Sequence, residues 1–482
     1  MSRAGWILIG LVLLAGAVGL YGYYGLRRAA PVPQFASAEE QFLYGSIGTE
    51  DEHGVPYLIW LVLPRIFPEY LPAPGGYASI GLVARDGHEM PIGLSKVQIG
   101  VQRVGVNCAL CHTATVRTNP GELPRVFPGA PAHQVGAQEY GRFLYSAASD
   151  PRFTADTILN EIARSVHLSL PDQLLYRFVL IPETREALLR LGGEVSGHRP
   201  DWGRGRTDLV RVTRFELLQQ PADASIGTAD AMPLWHLKGR EAHGYLWDRS
   251  NASLQETVRA SALVSGASPR WLDTDTVMWS RSHPLQPSGL RQVLDYISDL
   301  QPPKYPFPVD QALAATGAAT YASACAACHD ANGPRAETPI PPGELGTDRS
   351  RLEAWTAGSA SALNDFGKGH TWQFSKFRAP SSGYVAPPLD GVWLSAPYLH
   401  NGSVPTLTDL LEPPASRPAR FWRGSDLYDP MRVGFISDGP EVRRIGTMFD
   451  VSQPGNGNGG HTYGTALSAN DKRALIEYLK TR

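Results

Sequence analysis

All four cysteines of this chain fall in two copies of one five-residue pattern, Cys108-Ala-Leu-Cys111-His112 and Cys325-Ala-Ala-Cys328-His329. With 4 Cys and 13 His among 482 residues, one accidental match is expected about 0.001 times, and a second far less often. The spacing has a chemical reason. The two thiols add to two vinyl groups on one edge of a porphyrin, and the adjacent imidazole turns onto the iron as proximal ligand. A four-cysteine zinc site uses the same thiol pairs but gives the following histidine no role, and a thioredoxin-like redox pair has no use for it either. The pattern predicts two covalently bound haems c, attached at Cys108, Cys111, Cys325 and Cys328, with His112 and His329 on the irons. No cysteine remains for a disulfide framework or a thiol nucleophile.

Composition narrows the rest. Lys and Arg number 44 against 46 Asp and Glu, a net charge of −2 without long like-sign runs, which excludes a basic footprint for nucleic acid. The 49 Gly and 40 Pro make up about 18% of the chain against an ordinary background of about 12%. With 43% hydrophobic residues, that excess points to ordered loops rather than disorder. The length suggests two or three domains.

Residues 4–26 carry no charge, and at about 1.5 Å per helical residue they would reach about 35 Å, enough to cross a hydrocarbon core. Arg3 precedes the segment, Arg27 and Arg28 follow it, and Tyr21, Tyr23 and Tyr24 stand where an aromatic belt is expected. The competing reading is a cleaved signal peptide, with Ile7 to Leu14 as apolar region and Ala15-Gly16-Ala17 as cleavage site. Charge leaves the orientation open. Haem attachment of this kind takes place beyond the bacterial inner membrane, so the expected arrangement is a single-pass inner-membrane protein with its haem domains in the periplasm.

Around the second haem motif, Gly317, Tyr321 and Cys325 recur every four residues, the mark of a helix that delivers the thiol. Pro302, Pro303, Pro306 and Pro308 mark a linker before it, and Ser468 with Asp471 caps a terminal helix through Leu475, Ile476 and Leu479. In the N-terminal region, helices are expected over Asp156 to Ser169 and over Thr184 to Leu191, the latter stopped by Gly192-Gly193. The expected fold is mainly α: a membrane anchor over 1–28, an N-terminal haem c domain with a long insert over 29–309, and a C-terminal cytochrome c domain over 310–482. The C-terminal domain holds 16 basic and 17 acidic residues, so it offers no strong field to steer a partner.

The order of haem motif, long insert, second haem motif and then Leu394-Ser-Ala-Pro-Tyr398-Leu-His400-Asn401-Gly402-Ser403-Val404-Pro-Thr-Leu407 resembles the bacterial dihaem cytochrome c peroxidase and methylamine-maturation superfamily. Five further segments bring it nearest to the rubber-oxygenase-like branch: Val104-Gly-Val-Asn107, Gly203-Arg-Gly-Arg-Thr-Asp208, Ile226-Gly-Thr-Ala-Asp230 with Leu234-Trp235, Phe421-Trp-Arg-Gly-Ser-Asp-Leu-Tyr428-Asp429-Pro430, and Asn456-Gly-Asn-Gly-Gly-His461. The resemblance implies a reactive haem at His112 and a six-coordinate electron-transfer haem at His329. It ranks His461 first as distal ligand of the second haem. His400, otherwise a loop histidine bonded to backbone or a propionate, and Met448, otherwise core, are the competitors. For the first haem His133, 21 residues after His112, is near enough in sequence to approach the iron, against a solvent-exposed or backbone-bonded role, and an open distal face is the default, since a vacant sixth position can bind peroxide or dioxygen. Trp202, Trp235 and Trp247 are candidates for an aromatic between the haems, as in the superfamily's peroxidases, against a core-packing role for each.

Three functions remain. The first is a peroxidase-like oxidoreductase in which His112 carries the catalytic haem. The second is an electron-transfer cytochrome without catalysis. The third is a haem dioxygenase resembling rubber oxygenase. Expected partners are the membrane through the N-terminal helix, a small electron-donor protein or membrane redox complex, and hydrogen peroxide or dioxygen.

Overall fold

A computed structural model describes Trp6, Gly16, Gly19 and Pro33 and residues 35–192, 200–238, 240, 243–281 and 288–482. Two expectations are corrected. The fold is mixed, 42% helical and 11% strand, rather than mainly α. Nor is a transmembrane helix, or the single-pass inner-membrane location built on it, upheld: among the described residues no helix is long and apolar enough to cross a membrane. Apart from Trp6, Gly16 and Gly19, the segment 4–26 on which that reading rested lies outside the described residues.

The chain enters through α1 (Ala38–Tyr44), capped by the Ser37 side chain, and α2 (Tyr57–Ile66). A hairpin follows, β1 (Leu94–Ile99) and β2 (Val101–Val106), which turns at Gly100 and takes Val55–Pro56 as third strand. Lys96-Val97-Gln98-Ile99 alternates polar and apolar residues, and the two strands together carry the β-branched Val97, Ile99, Val101, Val104 and Val106, which suits a pleated, half-buried surface. A second hairpin, β3 (Thr113–Val116) with β4 (Arg125–Pro128), follows the first haem motif directly. Then come α3 (Ala137–Ser149) and α4 (Ala155–Ala163). α4 stops short of the expected Ser169, whose hydroxyl instead caps the next helix, Leu170–Leu175, by accepting from the Asp172 N–H. The helix expected at Thr184 to Leu191 spans Ile181–Arg190, and the expected stop at Gly193 lies outside the described residues.

Two short strands, β5 (Arg206–Thr207) and β6 (Ala229–Asp230), pair antiparallel in the middle of the chain. After the proline segment, Asp310 caps α5 (Gln311–Ala324), which runs into the second haem motif. β7 (Arg420–Arg423) pairs with β8 (Thr447–Asp450), and α6 (Ala469–Leu479) closes the chain under its Ser468 cap. α5 and α6 cross at Gly317, where any side chain would overlap the Ala474 carbonyl. Gly317 therefore permits the crossing, while Tyr321, one turn on, is buried against Tyr478.

Two apolar cores result. One, around Phe42, Leu63, Phe67 and Phe143, also takes in Trp355, Trp372, Phe374 and Phe377 from far along the chain. The other, around Trp393, Tyr428 and Leu475, draws Ala114 and Val116 of β3 and also Ala130 and Trp235 out of the N-terminal half. This exchange locks the segments that carry the two haem motifs together, since each large apolar side chain buried contributes about 1.5–3 kcal/mol.

Candidate haem sites

The first motif sits in a one-turn helix, Cys108–Leu110, held from outside by Asn107. The Asn107 side chain accepts from the Ala109 N–H (3.0 Å) and donates to the carbonyls of Leu43 (3.2 Å) and Gly45 (3.0 Å), tying the motif to α1. Downstream, the Arg117 Nε and Thr115 Oγ1 donate to the Asp426 carboxylate at 2.9 and 3.1 Å, fastening β3 to the C-terminal half. His112 Nδ1 lies 3.0 Å from the Met232 carbonyl. A hydrogen bond there places the proton on Nδ1 and leaves the Nε2 lone pair for a metal. Burial pushes the His112 imidazole down to about 4, so it is neutral at pH 7, and pushes the Cys108 and Cys111 thiols up to about 12 and about 11.

The second motif repeats this chemistry. His329 Nδ1 is 2.7 Å from the Pro387 carbonyl, and burial again lowers its pKa. What differs is the far side. Cys325, Cys328, His329 and His461 all line one cavity of about 320 Å³, most of whose wall is apolar. The His329 and His461 rings stand 6.1 Å apart between centroids, tilted by 55°. One metal ion about 2 Å from a nitrogen of each imidazole fits that gap. Burial, then the neighbouring His329, lowers His461 to about 4, and its Nδ1 is buried without a partner. These thiols and imidazoles fit a haem c held from both faces.

His461 is presented by the loop the sequence marked. It adopts a left-handed backbone, φ 44°, after Gly460 at φ 73°. A Cβ on Gly460 would overlap the backbone of Gly346 and Thr347, so only glycine lets this loop lie against its neighbour. The His461 N–H donates to the Leu345 carbonyl at 2.8 Å. Arg417, buried and unforeseen in the sequence, donates to the carbonyls of Leu410, Glu412, Asn458, Gly460 and His461 at 2.6–3.2 Å. Met448 is half exposed on β8, and His400 stacks on Tyr384, centroids 4.0 Å apart, although it also lines the cavity. His133 is buried against Phe435, centroids 3.3 Å apart, with Arg423 nearby.

Between the sites runs the segment 229–232. Asp230 accepts from Arg423 Nη2 (2.8 Å), its N–H donates to the His400 carbonyl (2.9 Å), and its carbonyl accepts from the Trp247 indole (3.0 Å). Two residues on, Met232 meets His112. Asp230 and Trp247 also line the cavity beside His329. Of the three tryptophans, Trp247 alone lines that cavity; Trp235 donates to the Asp390 carbonyl within the second core, and Trp202 bonds Gln138.

Residues 383–423 match the RoxA-like, cytochrome c-like family, a stretch that includes His400 and β7 but neither cysteine pair. Two uncharacterized proteins of Sinorhizobium fredii (strain NBRC 101917 / NGR234) are similar to parts of the chain. y4iM is 34% identical over 242 residues, 39% of this chain and 53% of that protein. y4iJ is 47% identical over 107 residues, 20% of this chain and 17% of that protein. The chain thus spans about half or less of the length of either relative. Residues 383–423 are thus similar to a cytochrome c-like domain of the RoxA-like kind, a domain type that implies covalently bound haem c.

Proposed function

We propose that this chain is a dihaem c-type oxidoreductase in which Cys325, Cys328, His329 and His461 hold a six-coordinate electron-transfer haem, and Cys108, Cys111 and His112 hold a reactive haem. The observation that carries the reading is the contrast at the far side of each motif. His461 stands opposite His329, whereas among the described residues no histidine ring is in contact with that of His112. Haem iron supplies one-electron chemistry, and with its sixth position open it also binds peroxide or dioxygen.

The protein's own part is to hold and connect. Met232 and Pro387 carbonyls fix the tautomers of His112 and His329. Trp247, anchored on Asp230 two residues from Met232, sets an aromatic ring on the wall of the His329 cavity, where it would serve electron passage toward the His112 site. Hydrogen peroxide is the preferred oxidant, with a reduced small protein as electron donor. The RoxA-like match favours a second reading, dioxygen-dependent cleavage of a carbon-carbon double bond, but it falls in the segment around the electron-transfer site and speaks less directly of the reactive one.

The test is spectroscopic first. Purified protein should carry haem on both cysteine pairs, show one low-spin and one high-spin haem, and bind cyanide at one of them. Two low-spin haems that ignore cyanide after partial reduction would leave a plain electron-transfer cytochrome. Peroxide turnover with a reduced small cytochrome, against oxygen-dependent cleavage of a polyisoprenoid, then separates the two enzymatic readings.

A further inference from the structure

The cavity beside His329 is apolar over most of its wall, yet three buried polar atoms on it donate to nothing in the protein: Thr347 Oγ1, Tyr384 Oη, whose one partner is the donating Leu352 N–H, and His400 Nε2. Each is able to donate, His400 as its Nε2–H tautomer. A buried donor left unpaired costs about 1–3 kcal/mol, so three on one wall point to an acceptor supplied by whatever fills the cavity.

Charge around them points the same way. Arg206, 1% exposed, gives Nη1 to Asn456 Oδ1 at 2.7 Å, while its Nε and Nη2 have no partner. Of the carboxylates that act on Arg206, Asp230 is engaged by Arg423, Asp208 accepts from the N–H groups of Arg211 and Gly227, and Asp348 accepts from the Ser350 N–H at 2.8 Å and the Gly457 N–H at 3.4 Å. Burial, and then Arg423, lowers the Arg206 pKa to about 9, the response of a guanidinium short of a counter-charge. Arg206 and Arg351 both act on His400. This side of the cavity therefore calls for an anionic acceptor. A haem has one such feature, its pair of propionate carboxylates; the remainder of its edge is apolar.

We infer that Thr347, Tyr384 and His400 form the cradle that receives the propionates of the haem attached at Cys325 and Cys328, with Arg206 supplying positive potential behind them. They are positioning residues, and the inference rests on the proposed haem at that site. It gives His400, in the Pro-Tyr-Leu-His-Asn-Gly turn, a task other than iron ligation.

The test uses the full-length holoprotein and three variants, Thr347→Val, Tyr384→Phe and His400→Gln. Resonance Raman reads the propionate bending mode, a redox titration reads the potential of the low-spin haem, and peptide mass reads attachment. In each variant the bending mode should shift down and the potential should fall, because a carboxylate stripped of a donor keeps more negative charge near the iron. The low-spin spectrum should persist, since His329 and His461 are untouched. Should His400→Gln fail to fold, the near-isosteric Tyr384→Phe and Thr347→Val still decide. Unchanged bending modes and potential in variants whose Cys325 and Cys328 carry haem would overturn the cradle alone. Finding no haem on those cysteines would overturn the reading beneath it as well.

Discussion

The two Cys-x-x-Cys-His sites repeat one local chemistry in two different surroundings. Both histidines direct Nδ1 at a backbone carbonyl, Met232 for His112 and Pro387 for His329, and burial keeps both neutral. At His329 a glycine-rich loop brings His461 to the opposite side of a cavity, and Arg417 stitches that loop down through five carbonyls. At His112 the nearest histidine in sequence, His133, is spent on packing against Phe435. The comparison teaches that the attachment pattern settles only one face of a haem. The other face, which separates electron transfer from small-molecule chemistry, is set by segments more than a hundred residues away.

The largest effect should come from the cysteines themselves. Cys325→Ala with Cys328→Ala should remove the low-spin haem, and Cys108→Ala with Cys111→Ala the cyanide-binding one, each halving the haem content by pyridine haemochrome. Equal loss of both spectral components in either variant would break the division of labour. Next is His461→Ala, which should convert the C-terminal haem from low-spin to high-spin and add a second cyanide site, while the N-terminal haem keeps its spectrum. An unchanged spectrum would remove His461 as ligand.

Arg417→Ala sharpens the comparison further, because it leaves every proposed ligand in place. It strands buried carbonyls at Asn458, Gly460 and His461 and should lower stability by about 3 kcal/mol, read as a fall in the urea midpoint together with a partial high-spin component. Trp247→Phe keeps the ring but loses the bond to the Asp230 carbonyl. It should cost about 1 kcal/mol and slow electron equilibration between the haems several-fold, measured by flash photolysis. Met448→Leu, on the half-exposed edge of β8, should leave both spectra as they are.

Much of the C-terminal half was legible in the sequence because its signals are local. Ser468 caps its helix where capping chemistry requires, and Gly457, Gly459 and Gly460 marked the loop that carries His461. The Lys96 to Val106 hairpin was written in its β-branched Val and Ile residues and in the alternation of Lys96 to Ile99, but this short signal was overlooked among glycines and prolines, and the fold came out mixed rather than mainly α. Arg417 left no signal at all, for a lone arginine among prolines reads as surface. The Met232 carbonyl is equally silent, since any residue but its neighbours could have offered a backbone oxygen there.

By itself, the sequence determined the local attachment pattern: two thiols spaced for the porphyrin edge and an adjacent imidazole for the iron, the set a covalently bound haem c requires. It also determined which loop could present His461, because only glycine permits that close backbone approach. The tertiary structure alone decided which histidine rings stand together, which tryptophan lines the cavity, and which buried donors on the cavity wall stand unpaired. Those are relations between residues far apart in the chain, fixed by two cores that exchange segments, and local spacing carries no record of them.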